Sequence, residues 1–140
     1  MQEKYFKLEI ITPFQIIYQN QVRHVRIPGT EGYFGVLAGH APFIATLQIG
    51  EIKVESDRET KYFAISGGIV EVLPYSTTVL VETAEEANQI DISRAQSAKM
   101  RAKSQLKNHA AELIPDQEEL ALKRAENRLK ISHTHNQSPT

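Results

Sequence analysis

Glu85-Glu86-Ala87-Asn88-Gln89-Ile90-Asp91-Ile92-Ser93-Arg94-Ala95 is the stretch in which this chain changes character. All seven glycines precede it, set among short alternating apolar segments that Gly and Pro interrupt. Beyond it Ala, Lys, Arg and Leu dominate. Asp91 reads as a helix N-cap, because its carboxylate can accept the orphan amides of a first turn. The stretch therefore divides a β-module from a helical one. Two such unlike halves suit a protein that anchors with one and moves with the other.

Upstream, Phe6, Leu8 and Ile10 alternate with Lys7 and Glu9, the pattern of a half-buried strand over 5–11. Further strands are expected at 22–27, 33–37, 43–49, 51–55, 61–66, 69–73 and 77–83. The punctuation between them is turn chemistry: Pro28-Gly29-Thr30-Glu31-Gly32, Gly39-His40-Ala41-Pro42, Asp57-Arg58-Glu59, Ser66-Gly67-Gly68 and Leu73-Pro74-Tyr75-Ser76. Many short strands at such spacing, with no long helix between them, argue for an antiparallel β-sandwich or barrel over a parallel βαβ sheet. Glu85-Glu86 read as solvated and linker-like.

Downstream, Ile92, Ala95, Ala98, Ala102 and Leu106 fall at spacings of three and four, one narrow apolar stripe of a helix that fades near 107–111. Ile114-Pro115-Asp116 marks a break, with Pro115 tolerated in the first turn of a second helix. Leu122, Ala125 and Leu129 carry that helix's stripe. The expected fold is thus β + α: an antiparallel β-sandwich over 1–87, an antiparallel two-helix hairpin over 88–131, and a disordered polar tail over 132–140. Alanine stripes bury little apolar area, and helices of this length are marginal alone. The hairpin is expected to lie near the balance between docked and undocked, which suits a switch.

Over the 140 residues the formal net charge is −1, which by itself points to neither nucleic acid nor membrane. Its distribution is uneven. Residues 1–86 carry 7 Lys+Arg against 11 Asp+Glu, and residues 87–140 carry 9 against 6, so the helical half is positive. The absence of Cys excludes disulfides, thiolate metal sites and cysteine nucleophiles. No apolar run approaches a membrane span, and Met1-Gln2-Glu3-Lys4 does not read as a signal peptide.

Few constellations suggest chemistry. Gly29, Gly32 and Gly35 lack the Lys-Ser/Thr and the helix that a phosphate loop needs. His24, His40, His109, His133 and His135 show no zinc-type spacing, so no metal site is expected. His40 has no Ser or carboxylate beside it in sequence, and a small hydrolase built on it is the weakest of the readings. The arginines are more informative. Asp91 and Arg94 share a face of the first helix, Arg101 follows two turns on, and Arg124 and Arg128 align on the second. These either lie on solvated faces or converge on an anion or an acidic partner, for which guanidinium geometry is suited.

Taken together the motifs resemble the ε subunit of bacterial F-type ATP synthase, to which the plastid homologue is similar. The run from Pro28 through Gly32, Gly35, Gly39, His40 and Pro42 resembles the family's long Gly-rich signature, with its Gly-His-x-Pro turn. Ser66-Gly67-Gly68-Ile69-Val70-Glu71-Val72 resembles a second signature, and Ile90-Asp91-Ile92-Ser93-Arg94-Ala95 an Ile/Leu-Asp-x-x-Arg-Ala motif. Residues 121–129 resemble the second C-terminal helix. These motifs are collinear over 4–131.

The resemblance implies a non-catalytic rotor subunit of a proton-translocating synthase, peripheral on the cytoplasmic face of the inner membrane. It implies a sandwich packed on the γ subunit and on the c-ring, with Glu31, Gly32, His40 and Pro42 as candidate contacts. It implies a mobile helical pair that inhibits ATP hydrolysis when extended into the catalytic α/β head, with Lys123, Arg124, Arg128 and Lys130 as candidate contacts to acidic β segments. No cofactor is required. ATP is implied as a regulatory ligand of some members, matching Glu85, Ile90, Asp91, Arg94, Ala95, Arg101, Arg124 and Arg128; a basic position early in the second helix of those members is here Gln117. The alternative is a free-standing nucleotide-sensing adaptor that uses the same arginines.

Overall fold

The computed structural model describes residues 4–108 and 116–136. The chain divides into two compact units between Glu86 and Ala87. The first unit holds ten strands: β1 (Phe6–Ile11), β2 (Ile16–Val22), β3 (His24–Gly29), β4 (Gly32–Val36), β5 (Phe43–Leu47), β6 (Gly50–Glu55), β7 (Thr60–Ile65), β8 (Gly68–Leu73), β9 (Ser76–Val81) and β10 (Ala84–Glu86).

Hydrogen bonding runs in the order β10-β7-β6-β3-β5-β8-β9-β1-β2, and β4 pairs with β3 alone. The sheet folds over on itself as a sandwich close to a barrel. Every pairing is antiparallel except β1 with β9, which run parallel. A parallel pair needs a long crossover, and the seven strands between β1 and β9 supply it.

Strand alternation builds the core. Phe6, Leu8 and Ile10 of β1 point inward with Val22, Val25, Ile27, Ile52, Val54, Phe63, Val70, Val72 and Val79, all essentially inaccessible to water. The intervening residues Lys7, Glu9, Lys53 and Glu71 reach outward. One inward position carries a hydroxyl: Thr77 is buried on β9, and its Oγ1 has no hydrogen-bond partner among the described residues. Turn chemistry closes the strands. Thr12 Oγ1 accepts from the amides of Phe14 and Gln15, at 3.3 Å each, and so shapes the β1–β2 connection.

Two strands differ from the sequence expectation. β2 was hidden by its polar run Tyr18-Gln19-Asn20-Gln21. It is the terminal strand of the path, held through the backbone of β1, so apolar side chains are not what defines it. β10 contradicts a solvated, linker-like Glu85-Glu86. These residues pair with Ala64 and Phe63 of β7, and Glu86 forms an ion pair with Lys61 at 3.2 Å. Burial disfavours the charged Lys61, but the hydrogen bond and charge of Glu86, with Glu59, outweigh it and raise its pKa above the ordinary value.

The second unit opens with a 3-10 turn, Ala87–Gln89, and continues into α1 (Ile92–Asn108) and α2 (Asp116–His135). The expected fading region beyond Asn108 and the break at Ile114-Pro115 lie outside the described residues. Ala95 and Ala102 of α1 and Ala125 of α2 are buried where the helices pack. The side-chain amide of Asn136, one residue past α2, donates to the carbonyl of Ala87. The end of α2 thus returns to the entry of α1, and the helices run antiparallel. Residues 132–135, expected in a disordered tail, belong instead to α2, which continues to His135, and residues 137–140 of that expected tail lie outside the described residues. Ile131 and Ser132 are buried, at 2% and 1% exposure, and this packing holds the last turn despite its polar sequence.

Candidate functional site

On the β unit the surface of interest starts at the β3–β4 turn. Gly32 adopts a φ of 132°, which lets the chain reverse at Thr30-Glu31 and leaves Glu31 exposed at the tip. Across from it, Gly39 at φ 85° sets the turn that carries His40. His40 Nδ1 lies 2.7 Å from the Ala41 carbonyl, and its ring stacks at 5.1 Å on Phe43, which in turn meets Phe34 edge-on. Between the two turns lies an open groove of about 680 Å³, lined by Glu31, Gly32, Tyr33, His40, Phe43 and Ile44 among others. The structure thus brings Glu31, Gly32 and His40 together, with Pro42 exposed beside them.

The groove continues into a surface that the sequence reading missed. The hydroxyls of Thr30 and Thr46 meet at 2.8 Å, tying the β3–β4 turn to β5. From Thr46 a single cross-strand row runs over the outer face through Ile69, Leu80, Ile11 and Ile16. Ile69 is 44% exposed, Leu80 43% and Ile16 53%; Phe14, at the adjoining turn, is 91% exposed. A row of aliphatic side chains on the solvent side of four neighbouring strands is an unusual feature in an otherwise alternating sheet. A signal for it exists in the sequence. Leu80 stands between Val79 and Val81, and Ile69 precedes Val70, so these strands are apolar on both faces.

In the helical unit, Asp91 acts as the N-cap of α1: its Oδ1 accepts from the Arg94 amide at 3.1 Å. Ile90 beside it is buried. The arginines follow a pattern. Arg94, Arg101 and Arg124 each stand one residue before a buried seam alanine, Ala95, Ala102 and Ala125. One residue is about 100° of rotation, so all three flank the seam in the same sense. In two antiparallel helices facing each other, that sense is one shared edge. Arg128, three residues after Ala125, falls on it too, as does Gln117, seven residues before Arg124.

Arg94 and Arg101 are exposed, while Arg124 and Arg128 are half-buried. Lys123 and Lys130 are exposed and lie on the side of α2 away from the seam. The four basic residues of α2 therefore split between an edge and an outer face. Glu85 belongs to β10 of the other unit. Among the described residues no cluster of His, Asp and Glu could hold a metal ion, and no helix is long and apolar enough to cross a membrane.

Comparison with known proteins agrees with this two-part organisation. The ATP synthase delta/epsilon chain β-sandwich domain matches residues 5–87, and the long α-helix domain of the same chain matches residues 88–133. The ATP synthase epsilon chain of Bacillus cytotoxicus is 42% identical over 130 residues, covering 93% of this chain and 98% of that one. The epsilon chain of Koribacter versatilis is 45% identical over 107 residues, covering 76% and 75%. Among solved structures, a chain of the Euglena gracilis mitochondrial ATP synthase (OSCP/F1/c-ring, rotational state 1) superposes with a TM-score of 0.78 at 25% identity, covering 95% of this chain and 83% of that one. Both halves are matched in order and nearly end to end: the chain belongs to the ATP synthase delta/epsilon chain family.

Proposed function

We propose that this chain is a non-catalytic central-stalk subunit of an F-type ATP synthase, peripheral on the cytoplasmic face of the membrane. In this reading the β unit couples the γ subunit to the c-ring, and the helical pair restrains ATP hydrolysis by the α/β head. The observation that carries it is the outward row Ile11, Ile16, Ile69 and Leu80, with Ile11 half-buried and the other three exposed, continuous with the groove at Glu31 and His40. An outward aliphatic row on a rigid sheet serves for permanent docking, because it gains free energy only when covered. We assign the row to γ and the Glu31-Gly32 turn to the c-ring, with His40 and Pro42 at the junction.

The regulatory part rests on the basic character of α2. Lys123, Arg124, Arg128 and Lys130 would meet acidic segments of the head when the pair extends. Reconstitution of γ and the α/β head with this chain tests both parts. The expected result is stable incorporation and slower ATP hydrolysis. Replacing the four basic residues with Ala should keep incorporation and restore the rate. A chain that never associates with γ refutes the docking role; an unchanged rate on incorporation refutes the regulatory one.

A second reading is favoured by the shared edge of Arg94, Arg101, Arg124 and Arg128, where four guanidiniums lie along one side of the closed pair. ATP is the regulatory ligand we propose there. Calorimetry with the wild type and Arg94→Ala tests it, and no heat at millimolar ATP removes it.

A further inference from the structure

The two helices are joined by the chain at one end of the pair, and a different device closes the other. The Asn136 side-chain amide donates to the carbonyl of Ala87, 49 residues earlier, and also to Ser132 Oγ at 3.2 Å. The Asn136 backbone amide bonds the Ser132 carbonyl at 2.9 Å, which fixes the residue just past α2. Ser132 and Ala87 are themselves buried, at 1% and 4% exposure. The Ala87 carbonyl heads the 3-10 turn and accepts a long bond from the Ile90 amide within that turn, at 3.4 Å, and Asn136 is its partner from the far end of the unit among the described residues.

We propose that Asn136 and Ser132 form a clasp that holds the open end of the helical pair shut and sets how often it opens. The physical case is that the seam beside it is thin. Ala95, Ala102 and Ala125 contribute little burial each, so the clasp adds its bonds to the buried Ile131 and Ile90 as a sizeable share of what separation at that end costs. Opening would strand a buried carbonyl and a buried hydroxyl until water reaches them, and this makes the clasp cooperative with the seam. An amide is suited to the place because it can donate two hydrogens, one to each acceptor. A carboxylate there could donate none and would repel the Ala87 carbonyl.

The inference rests on the reading above that the pair opens and closes. The chain has no Cys, so Gln96→Cys and Thr134→Cys place one label on an exposed site of each helix. Distances between the labels in the full chain report the ratio of open to closed pairs. Asn136→Gly keeps a good helix terminator while removing the side chain, and Asn136→Asp keeps the shape while removing the donors. Both should raise the open-to-closed ratio about tenfold, as the loss of bonds to buried acceptors requires. Ser132→Ala should raise it less, and should add little on top of Asn136→Gly.

A wild-type distance distribution in Asn136→Gly overturns the clasp and shows that Asn136 only terminates the helix. Hydrolysis by the reconstituted head separates this outcome from failure of the functional reading. A shifted distribution with unchanged hydrolysis supports the clasp and overturns the regulatory role of opening.

Discussion

Replacing Ile69 and Leu80 together with Lys tests the docking row most directly. Both side chains stand on the outer face of the sheet, on paired positions of β8 and β9, at 44% and 43% exposure. Full burial of an Ile or Leu is worth about 1.5–3 kcal/mol, and somewhat less than half of each remains to be gained on docking. Losing both should therefore cost about 2 kcal/mol of association, roughly thirtyfold in Kd. Covering two ammonium groups without partners adds to the loss. More than half of each side chain is already covered within the sheet, so folding should also weaken by about 1 kcal/mol for each, less what the Lys stems retain. Titration calorimetry of the full chain against a γ-containing head reads the affinity, and a thermal melt reads the fold. Arg58→Glu, on the exposed β6–β7 turn, controls for a general effect of charge. A double variant that remains folded at the assay temperature and binds within about threefold of wild type refutes the assignment of this row to γ.

Gly68→Ala should unfold the β unit or lower its stability by more than about 3 kcal/mol: an added Cβ would run into the Leu80 carbonyl oxygen and lie 2.9 Å from Val81 Cα, at a φ of 155°. A denaturant melt close to wild type would contradict the close β8–β9 approach. Thr77→Val should stabilise the chain by about 1 kcal/mol, since it removes a buried hydroxyl that lacks a partner without changing the shape of the side chain. A lower melting temperature would mean that Thr77 Oγ1 is satisfied in solution. Asp91→Ala should destabilise α1 by about 1 kcal/mol, read as faster amide exchange in its first turn, whereas Asp91→Ser and Asp91→Asn should retain the helix. Equal exchange in all three would show that Asp91 is not retained for capping.

Sequence legibility followed the source of each element's stability. β1, β6, β8 and β9 were readable because they bury one side of an alternating pattern, as with Phe6, Leu8 and Ile10. β2 and β10 were not, because what holds them is backbone pairing to β1 and β7, and for Glu86 the Lys61 ion pair. Pairing of that kind joins residues far apart in sequence and leaves no local period. The cap at Asp91 was legible for the opposite reason: its partners are the next few amides. The last turn of α2 was missed because Ser132, a polar residue, is buried through tertiary packing that composition does not encode. Glu31, Gly32 and His40 were picked out individually, but that they line one groove depends on the β3–β4 and β4–β5 turns folding toward each other. The apolar row was visible only as aliphatics out of phase with the core, a signal that means nothing until the strands are aligned.

The unequal cores of the two units set the direction in which the proposed switch can work. The β unit is held by large aliphatic and aromatic side chains drawn from nine of its ten strands, so it is the rigid reference. The helical pair closes on alanines while aligning Arg94, Arg101, Arg124 and Arg128 along one edge, where like charges oppose closure. An anion on that edge would relieve the repulsion and would bind the closed pair better than the open one. By linkage, whatever favours the anion favours closure by the same factor. ATP at the arginine edge and the clasp at Asn136 would therefore act in the same direction, and acidic segments of the head in the opposite one, competing for Arg124 and Arg128. Weakening the clasp should then lower the apparent ATP affinity and strengthen restraint of hydrolysis together. A variant that changed only one of the two would mean that the edge and the clasp do not report on the same opening.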